Sequence, residues 1–418
     1  MTDQNPIAKK SRTVWNTLDN FNLTGKQILT RVDLNVPFKN NEVSDTTRIK
    51  RIIPTVNEIQ RAGGQAILLS HFGRPNGKFV SELSLRSLVP SLETLLSQQI
   101  VYVADCRGPA VKAALKSIKN DAILLLENVR FYKGEESNSS TFASEIAEIA
   151  DIFCNDAFSC SHRAHASTTA IVELLPSCIG RLMEEELCAL NASLTSPKRP
   201  LIAIVGGAKV STKINLLLNL INLCDYLVIG GGMANTFLAA QGISVGQSII
   251  QNNLLKTASL ILEKAEGTGC QIILPSDISV ATELSEHAKT TIFSAQNCPD
   301  SGMILDLGPN TISQITTTLQ VAQTLIWNGP LGAFEVNQFA TATTAIAHEI
   351  AKLTRANKLL SIAGGGDTIA ALRAANVINR FSYISTAGGA FLEWMEGKPL
   401  PGLHALKKHS QSQNKDIN

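Results

Sequence analysis

Short continuous apolar runs alternate with helix-length amphipathic segments almost from end to end of the chain. Residues 27–32, 65–70, 100–103, 122–126 and 152–155 read as strands in the first half. Residues 201–205, 226–230, 271–274, 324–327, 358–363 and 383–385 do so in the second. Most of these runs are unbroken rather than alternating, the pattern of strands covered by helices on both faces. Between them lie segments with helical periodicity, among them 48–62, 85–96, 211–224, 310–323 and 338–356. This rhythm predicts an α/β fold with parallel sheets.

A longer helix is expected over 181–195, with Glu184, Glu185 and Glu186 near its start, where the helix dipole favours acids. It runs into Ser196-Pro197-Lys198-Arg199-Pro200, a proline-rich break just before a new strand and the best domain boundary in the chain. The expected organisation is a first lobe over 1–185, a hinge helix and linker over 186–200, and a second lobe over 201–403. A polar tail, about 404–418, is expected to pack on the first lobe.

Composition narrows the function. The 418 residues suit two or three domains at about 150 residues each. With 44% hydrophobic and 17% charged residues the chain can bury large cores, which excludes intrinsic disorder except at the ends. A net charge of +2 argues against a nucleic-acid surface and against a polybasic membrane patch, so any anion site must be a local cluster. No apolar run approaches the roughly 20 residues that span a bilayer. Lys9, Lys10 and Arg12 are followed by no apolar segment, so no secretory signal is expected. The eight cysteines form no C-x-x-C pair; reduced thiols in a cytoplasmic protein are expected.

In parallel α/β sheets, ligands bind beyond the carboxyl ends of the strands. In the first lobe those positions carry charge and imidazole: Arg31-Val32-Asp33-Leu34-Asn35-Val36-Pro37, His71-Phe72-Gly73-Arg74-Pro75, Glu127-Asn128-Val129-Arg130-Phe131 and His162-Arg163-Ala164-His165. Arg48 opens the helix after the first of these loops. Arg48, Arg74, Arg130 and Arg163, with His71 and His162 or His165, are expected at one sheet edge. Guanidinium forks there would take a small, multiply anionic substrate. Asp33 and Asn35 either shape the turn before Pro37, or orient the arginines and accept a substrate hydroxyl. His162-x-x-His165 has no surrounding zinc motif and is not read as a metal site.

In the second lobe the same positions are glycines: Gly206-Gly207, Gly230-Gly231-Gly232, Gly364-Gly365-Gly366 and Gly388-Gly389. Such turns let backbone N–H groups approach phosphate at a helix N-terminus. One pair is ordinary turn geometry, whereas four in one lobe favour a nucleotide site. Lys209 and Lys213, four apart, are expected on one helix face, where a phosphate chain would relieve their repulsion. Asp367 is the natural carboxylate for nucleotide-bound Mg²⁺, and Thr368 either caps its helix or touches phosphate. No G-x-x-x-x-G-K-[ST] occurs, and Ile369 stands where a G-x-G-x-x-G string needs its third glycine. A P-loop fold and a simple dehydrogenase are thereby disfavoured.

Cationic side chains in one lobe and a phosphate-binding floor in the other predict phosphoryl transfer across a cleft closed by a hinge. No kinase-like catalytic base is visible, which suits an acceptor already ionised, a carboxylate or ADP. A non-catalytic anion-binding module is the competing reading. The juxtaposed Arg48, Lys209, Lys213 and Asp367 argue against it.

The quoted strings, with Gly206-Gly207-Ala208-Lys209-Val210, Trp327-Asn328-Gly329-Pro330 and Gly364-Gly365-Gly366-Asp367-Thr368, resemble phosphoglycerate kinase, in order from about residue 22 to 403. The resemblance implies two Rossmann-like lobes with parallel sheets joined by a hinge helix. It implies reversible transfer of the acyl phosphate of 1,3-bisphosphoglycerate to ADP, giving 3-phosphoglycerate and ATP in glycolysis, by a monomer in the cytoplasm with Mg²⁺ on the nucleotide. Asp33, Leu34, Asn35, Arg48, His71, Phe72, Gly73, Arg74, Arg130 and Arg163 would hold phosphoglycerate. Lys213, Gly308, Asn328, Glu335, Gly365, Gly366, Asp367 and Thr368 would hold ADP or ATP, with Glu335 on the ribose and Asp367 facing the metal through the nucleotide. Arg48, Lys209 and the amides near Gly365 and Gly388 would stabilise the transferring group.

The chain departs from that pattern in places. Thr212 stands where an Asp is usual, Ser159-Cys160-Ser161 where Gly-Thr precedes His162, and Ala387-Gly388-Gly389 at the late triple-glycine turn. Phe391 and Trp394 replace smaller or aliphatic residues, and the N-terminus is about ten residues longer than usual.

Overall fold

A computed structural model describes residues 14–39, 42–119 and 122–415. The expected N-terminal extension and the group Lys9, Lys10 and Arg12 lie outside the described residues. By its internal contacts the described chain forms two compact units, one of residues up to Leu187 together with Pro399 onward, the other Cys188–Lys398. The division falls inside the helix Arg181–Leu190, ahead of the proline-rich break. That helix continues into a π-helical turn, Asn191–Thr195, so the single helix expected over 181–195 has two windings.

The N-terminal unit is built on six parallel strands in the order Ile100–Val103, Ile123–Leu126, Gln65–Leu69, Gln27–Arg31, Ile152–Asn155, Ser177–Ile179. The central runs are buried at nearly every position, which is why they read as continuous apolar segments. Helix Thr47–Arg61 turns Ile49, Ile52, Val56 and Ile59 onto Ile28, Leu68 and Leu125. Strand order reverses between Gln27–Arg31 and Ile152–Asn155. The loops after these two strands therefore flank the crevice where a ligand is expected.

The stretch expected as a polar tail is largely helix, Pro401–Lys415. Leu403 and Leu406 are buried, Gly402 N–H donates to Ser161 O at 3.0 Å, and Asn16 N–H donates to Ser410 Oγ at 2.9 Å.

The C-terminal unit has six parallel strands in the order Gln271–Ile273, Tyr226–Ile229, Leu201–Val205, Thr324–Asn328, Leu360–Gly364, Tyr383–Ser385. Numbered within this sheet the order is 3-2-1-4-5-6, the doubly wound arrangement, with its switch point between Leu201–Val205 and Thr324–Asn328. Ile202, Ile204, Leu325 and Trp327 meet Ile346 and Ile350 of helix Thr341–Arg355 in one core. An antiparallel sheet of Thr291–Ser294, Asp277–Ala281 and Met303–Leu307 was not expected from a parallel pattern. Its outer strand Thr291–Ser294 is mostly exposed and carries no continuous apolar run.

Candidate functional site

The N-terminal site grows from the ends of its central strands. Asp33 follows Gln27–Arg31, and its carboxylate is buried. Oδ2 accepts from Arg48 Nη1 at 2.7 Å and from Ser159 Oγ at 2.5 Å, while Oδ1 accepts the Asn35 N–H at 3.0 Å. Arg48 Nη1 also donates to Asn35 O at 2.9 Å. Asn35 Oδ1 in turn accepts the Gly73 N–H at 2.9 Å, and Ser70 Oγ accepts the Leu34 N–H at 2.9 Å, so the first two loops are tied together. Arg130 Nη1 donates to Gly73 O at 2.8 Å and Nε lies 3.3 Å from Glu136 Oε1. Asn128 braces that loop by donating to Phe72 O and Leu83 O.

Of the expected substrate residues, Asp33, Asn35, Arg48, Gly73 and Arg130 thus form one bonded set. The side chains of Leu34 and Phe72 do not face it as ligands. Leu34 is fully buried in the core and Phe72 packs edge-on against Phe38, so only their backbones are available to a substrate. Arg74 is exposed in the loop that carries His71. Arg163 Nε donates to His162 Nε2 at 3.1 Å. Burial lowers the pKa of Arg130, and the nearby Arg163 and Arg31 charges lower it further, partly offset by Cys160 and Glu136.

Arg31 is the residue that sequence reasoning missed. A strand-end arginine looks like a surface charge, yet this one is 1% exposed. Its Nε donates to Ser167 Oγ at 2.9 Å and its Nη1 to Val32 O. Its Nη2 lies 3.1 Å from His71 Nδ1. Ser167 passes the contact on, donating from Oγ to Glu135 Oε1 at 2.6 Å and from its N–H to Oε2 at 3.0 Å. Burial raises the pKa of Glu135, but His165, Arg31 and Ser167 outweigh it and keep the carboxylate ionised. Burial, followed by the surrounding arginines, holds His71 well below the usual imidazole range against the pull of Asp33. An arginine can only donate, so Nδ1 accepts, and neutral His71 carries its proton on Nε2. Asp33 shows the opposite balance. Burial pushes its pKa up, and with His71 neutral it is the Arg48 guanidinium, the Ser159 hydroxyl and the Asn35 N–H that hold it below the ordinary value.

In the C-terminal unit the chemistry lies at the switch point. Gly206 N–H donates to Asn328 O at 3.0 Å. A Cβ on Gly206 would stand 1.8 Å from Pro330 O, so this glycine is demanded by loop packing. Gly388 differs: its φ is +56° and nothing lies within 4 Å of where a Cβ would be, which leaves its backbone approachable. Asn328 accepts from Lys213 Nζ through Oδ1 and donates from Nδ2 to Gly364 O at 2.8 Å. Thr368 Oγ1 accepts the Gly329 N–H at 2.7 Å, so its hydroxyl stitches two loops. Gly365 serves as the N-cap residue of helix Gly366–Ala374.

Lys209 and Lys213 do not share a helix face. Lys209 precedes the 3₁₀ turn Val210–Thr212 and is exposed, whereas Lys213 caps helix Ile214–Leu220 and reaches inward to Asn328. Thr212 Oγ1 donates to Lys209 O at 2.9 Å, a local bond that ties off the first turn. Burial lowers the Lys213 pKa, opposed by Asp367 and by Glu396, an acid the sequence reading did not single out. Gly308 N–H donates to Asp277 O, and Ala333 N–H donates to Leu305 O, which sets the exposed Glu335 loop beside the strand leading to Gly308.

Among the described residues no group of three His, Cys, Asp or Glu is arranged to hold a metal. The donor set instead offers a single exposed carboxylate, Asp367, in the first turn of a helix. That suits Mg²⁺, which keeps its waters and is bound by one or two carboxylates together with substrate phosphates.

Comparison with known proteins bears on the same segments. A family model described as phosphoglycerate kinase matches residues 18–398. The phosphoglycerate kinase of Ruegeria sp. (strain TM1040) is 56% identical over 393 residues, covering 94% of this chain and 99% of that protein. That of Rhizobium meliloti (strain 1021) is 51% identical over 395 residues, with 94% and 99% covered. A solved phosphoglycerate kinase from Coxiella burnetii superposes with a TM-score of 0.87 at 42% identity, covering 95% of this chain and all of the other. The one from Pyrococcus horikoshii OT3 gives 0.79 at 27% identity, with 95% and 99% covered.

Proposed function

The chain belongs to the phosphoglycerate kinase family, and from that premise we propose which of its residues hold each substrate and how they act. The enzyme transfers a phosphoryl group between 1,3-bisphosphoglycerate and ADP, forming 3-phosphoglycerate and ATP. In this reading phosphoglycerate lies at the carboxyl edge of the N-terminal sheet. Arg48, Arg74, Arg130 and Arg163 neutralise its charges, neutral His71 donates from Nε2, and Asp33 and Asn35 orient the arginines and receive the substrate hydroxyl. The backbones of Leu34, Phe72 and Gly73 line the same loops.

The nucleotide lies at the switch point of the C-terminal sheet. Lys213 and Asn328 reach its phosphates, as do the amides of Gly365, Gly366 and Thr368, while Gly308 and Glu335 take the nucleoside end. Asp367 would hold Mg²⁺ through the nucleotide, and the ion supplies charge neutralisation on the phosphates. Arg48, Lys209 and the amides near Gly365 and Gly388 are assigned to stabilising the transferring group. Either acceptor, a carboxylate or ADP, is already ionised, so the chain needs no general base; its task is positioning and charge stabilisation.

The observation that carries this reading is the Asp33–Arg48–Asn35 set. A guanidinium is held by a buried carboxylate and a carbonyl at a topological switch point, with its remaining N–H groups left for an anion. ATP formation from 1,3-bisphosphoglycerate and ADP, with and without Mg²⁺, tests it. Turnover that requires Mg²⁺ and disappears in Arg48→Ala is expected; full turnover by that variant refutes the placement.

Among the described residues no helix is long and apolar enough to cross a membrane. We extend the proposal to a cytoplasmic monomer that binds no nucleic acid, the last of these supported by the near-balanced net charge of +2.

A further inference from the structure

Ser159 belongs to none of the roles assigned above, yet it touches their centre. It sits in the 3₁₀ turn Phe158–Cys160 after strand Ile152–Asn155. That turn is fixed at its base by the Ala157 N–H donating to Asn155 Oδ1 at 3.1 Å and the Cys160 N–H donating to Ala157 O at 3.0 Å. From there the Ser159 hydroxyl crosses the switch point and donates to Asp33 Oδ2 at 2.5 Å.

A carboxylate has about four acceptor positions, two on each oxygen. On Asp33, Oδ2 carries Arg48 and Ser159, so both of its positions are filled. Oδ1 carries only the Asn35 N–H, so one position remains, on Oδ1. We propose that Ser159 is a positioning residue: by saturating Oδ2 it leaves Oδ1 as the single acceptor offered to the substrate's 2-hydroxyl, and so sets the enzyme's selection for a 2-hydroxy acid. The inference rests on the placement of phosphoglycerate beside Asp33 proposed above. The same bond is one of those that hold Asp33 ionised against its burial. Without it Arg48 and the Asn35 N–H still hold the carboxylate, but Oδ2 gains an open position, so either oxygen can take the hydroxyl or a water and a ligand lacking the hydroxyl is penalised less. A site built around a buried polar group discriminates strongly only while that group has one unmet bond in one place.

The test compares kcat/KM for 3-phosphoglycerate with that for 3-phosphonooxypropanoate, its analogue without the 2-hydroxyl, at saturating Mg-ATP. In Ser159→Ala the preference for the hydroxylated substrate is expected to fall about tenfold, the scale of a lost hydrogen bond to a charged group. KM for ATP stays within twofold, and Ser159→Thr, which keeps the hydroxyl, restores the preference. Ser159→Gly serves the same comparison if the alanine variant does not fold.

A preference unchanged in Ser159→Ala, or a wild type that does not discriminate, overturns the inference. So does a fall in kcat and thermal stability with the preference intact, since that marks a merely structural serine. Arg48→Ala, assayed alongside, separates the two levels. If it abolishes turnover while Ser159→Ala keeps its preference, only the role of Ser159 is lost. If Arg48→Ala is fully active, the placement of phosphoglycerate itself is wrong.

Discussion

The two units share a doubly wound plan and use opposite means to prepare for anions. The N-terminal unit supplies side-chain charge and keeps it ionised by pairing. Asp33 and Glu135, both buried, stay below their ordinary pKa because Arg48, Arg31, His165 and serine hydroxyls surround them. The C-terminal unit relies on backbone turns, with few charges and little pairing. Its buried acid Asp306, just before Gly308, has only backbone partners: Oδ2 accepts the Ala342 N–H at 2.9 Å, and burial pushes its pKa up to about 7. The contrast is one of local partners rather than of units as wholes, because Asp156 in the N-terminal unit behaves like Asp306. It accepts from the Thr55 hydroxyl and the Met183 N–H with Arg51 nearby, and burial still raises its pKa to about 6. A buried carboxylate follows its partners: Arg48 bonded directly to Asp33 brings its pKa down, whereas the amides on Asp306, and the amides and hydroxyl on Asp156, do not offset desolvation.

The sharpest way to break this comparison is Arg48→Ala. It removes the cation proposed to act on the transferring group and leaves Asp33 without its guanidinium, so kcat is expected to fall about 10³-fold, roughly 4 kcal/mol. KM for the nucleotide should stay within twofold, as measured by steady-state kinetics with each substrate varied. An equal loss of nucleotide affinity would show that the two regions are not separate devices.

Next in size is the pH dependence of stability. An acid whose folded pKa lies above its unfolded value makes the native state lose stability as pH rises between the two. For Asp306 that window runs from its ordinary 3.8 to about 7. The cost there is on the order of 4 kcal/mol. Denaturant melts of Asp306→Asn should be flatter across this window than those of the wild type. Asp33 has the opposite sign: its lowered pKa adds stability above pH 3.8 that is lost on acidification through its folded value. Asp33→Asn should therefore remove a loss at acid pH, and two variants with the same slope change would dissolve the contrast.

The smallest effect concerns Lys213, half-buried in the C-terminal unit. Lys213→Ala should raise KM for ADP about tenfold, roughly 1.4 kcal/mol, with KM for 1,3-bisphosphoglycerate unchanged. A change confined to the phosphoglycerate KM would place Lys213 with the wrong ligand.

Much of this was legible before any coordinates. The eleven expected strands all occur, because strands buried on both faces must be apolar throughout and such runs stand out. The antiparallel sheet over 277–307 was not, because its outer strand faces solvent and lacks that signature. At the site, the arginine and glycine strings pointed to anions by residue type alone. They could not show that Gly206 is required by Pro330 O while Gly388 stays open, or that Lys213 turns inward while Lys209 does not. The Ser159-Cys160-Ser161 departure was visible as an oddity, with no means of telling what the hydroxyl meets.

The sequence by itself determined the α/β plan, the loops that carry chemistry and the sign of the charge each loop brings, since periodicity and residue type act locally. Tertiary structure alone decided which groups became partners. Asp33 and Ser159 lie 126 residues apart, and they meet because Gln27–Arg31 and Ile152–Asn155 are neighbours in the sheet. Arg31 and His71 meet because strand Gln65–Leu69 lies on the other side of the same strand. Ionisation in a low-dielectric interior depends on partners within a few ångströms, and strand order, which no local pattern encodes, supplies them.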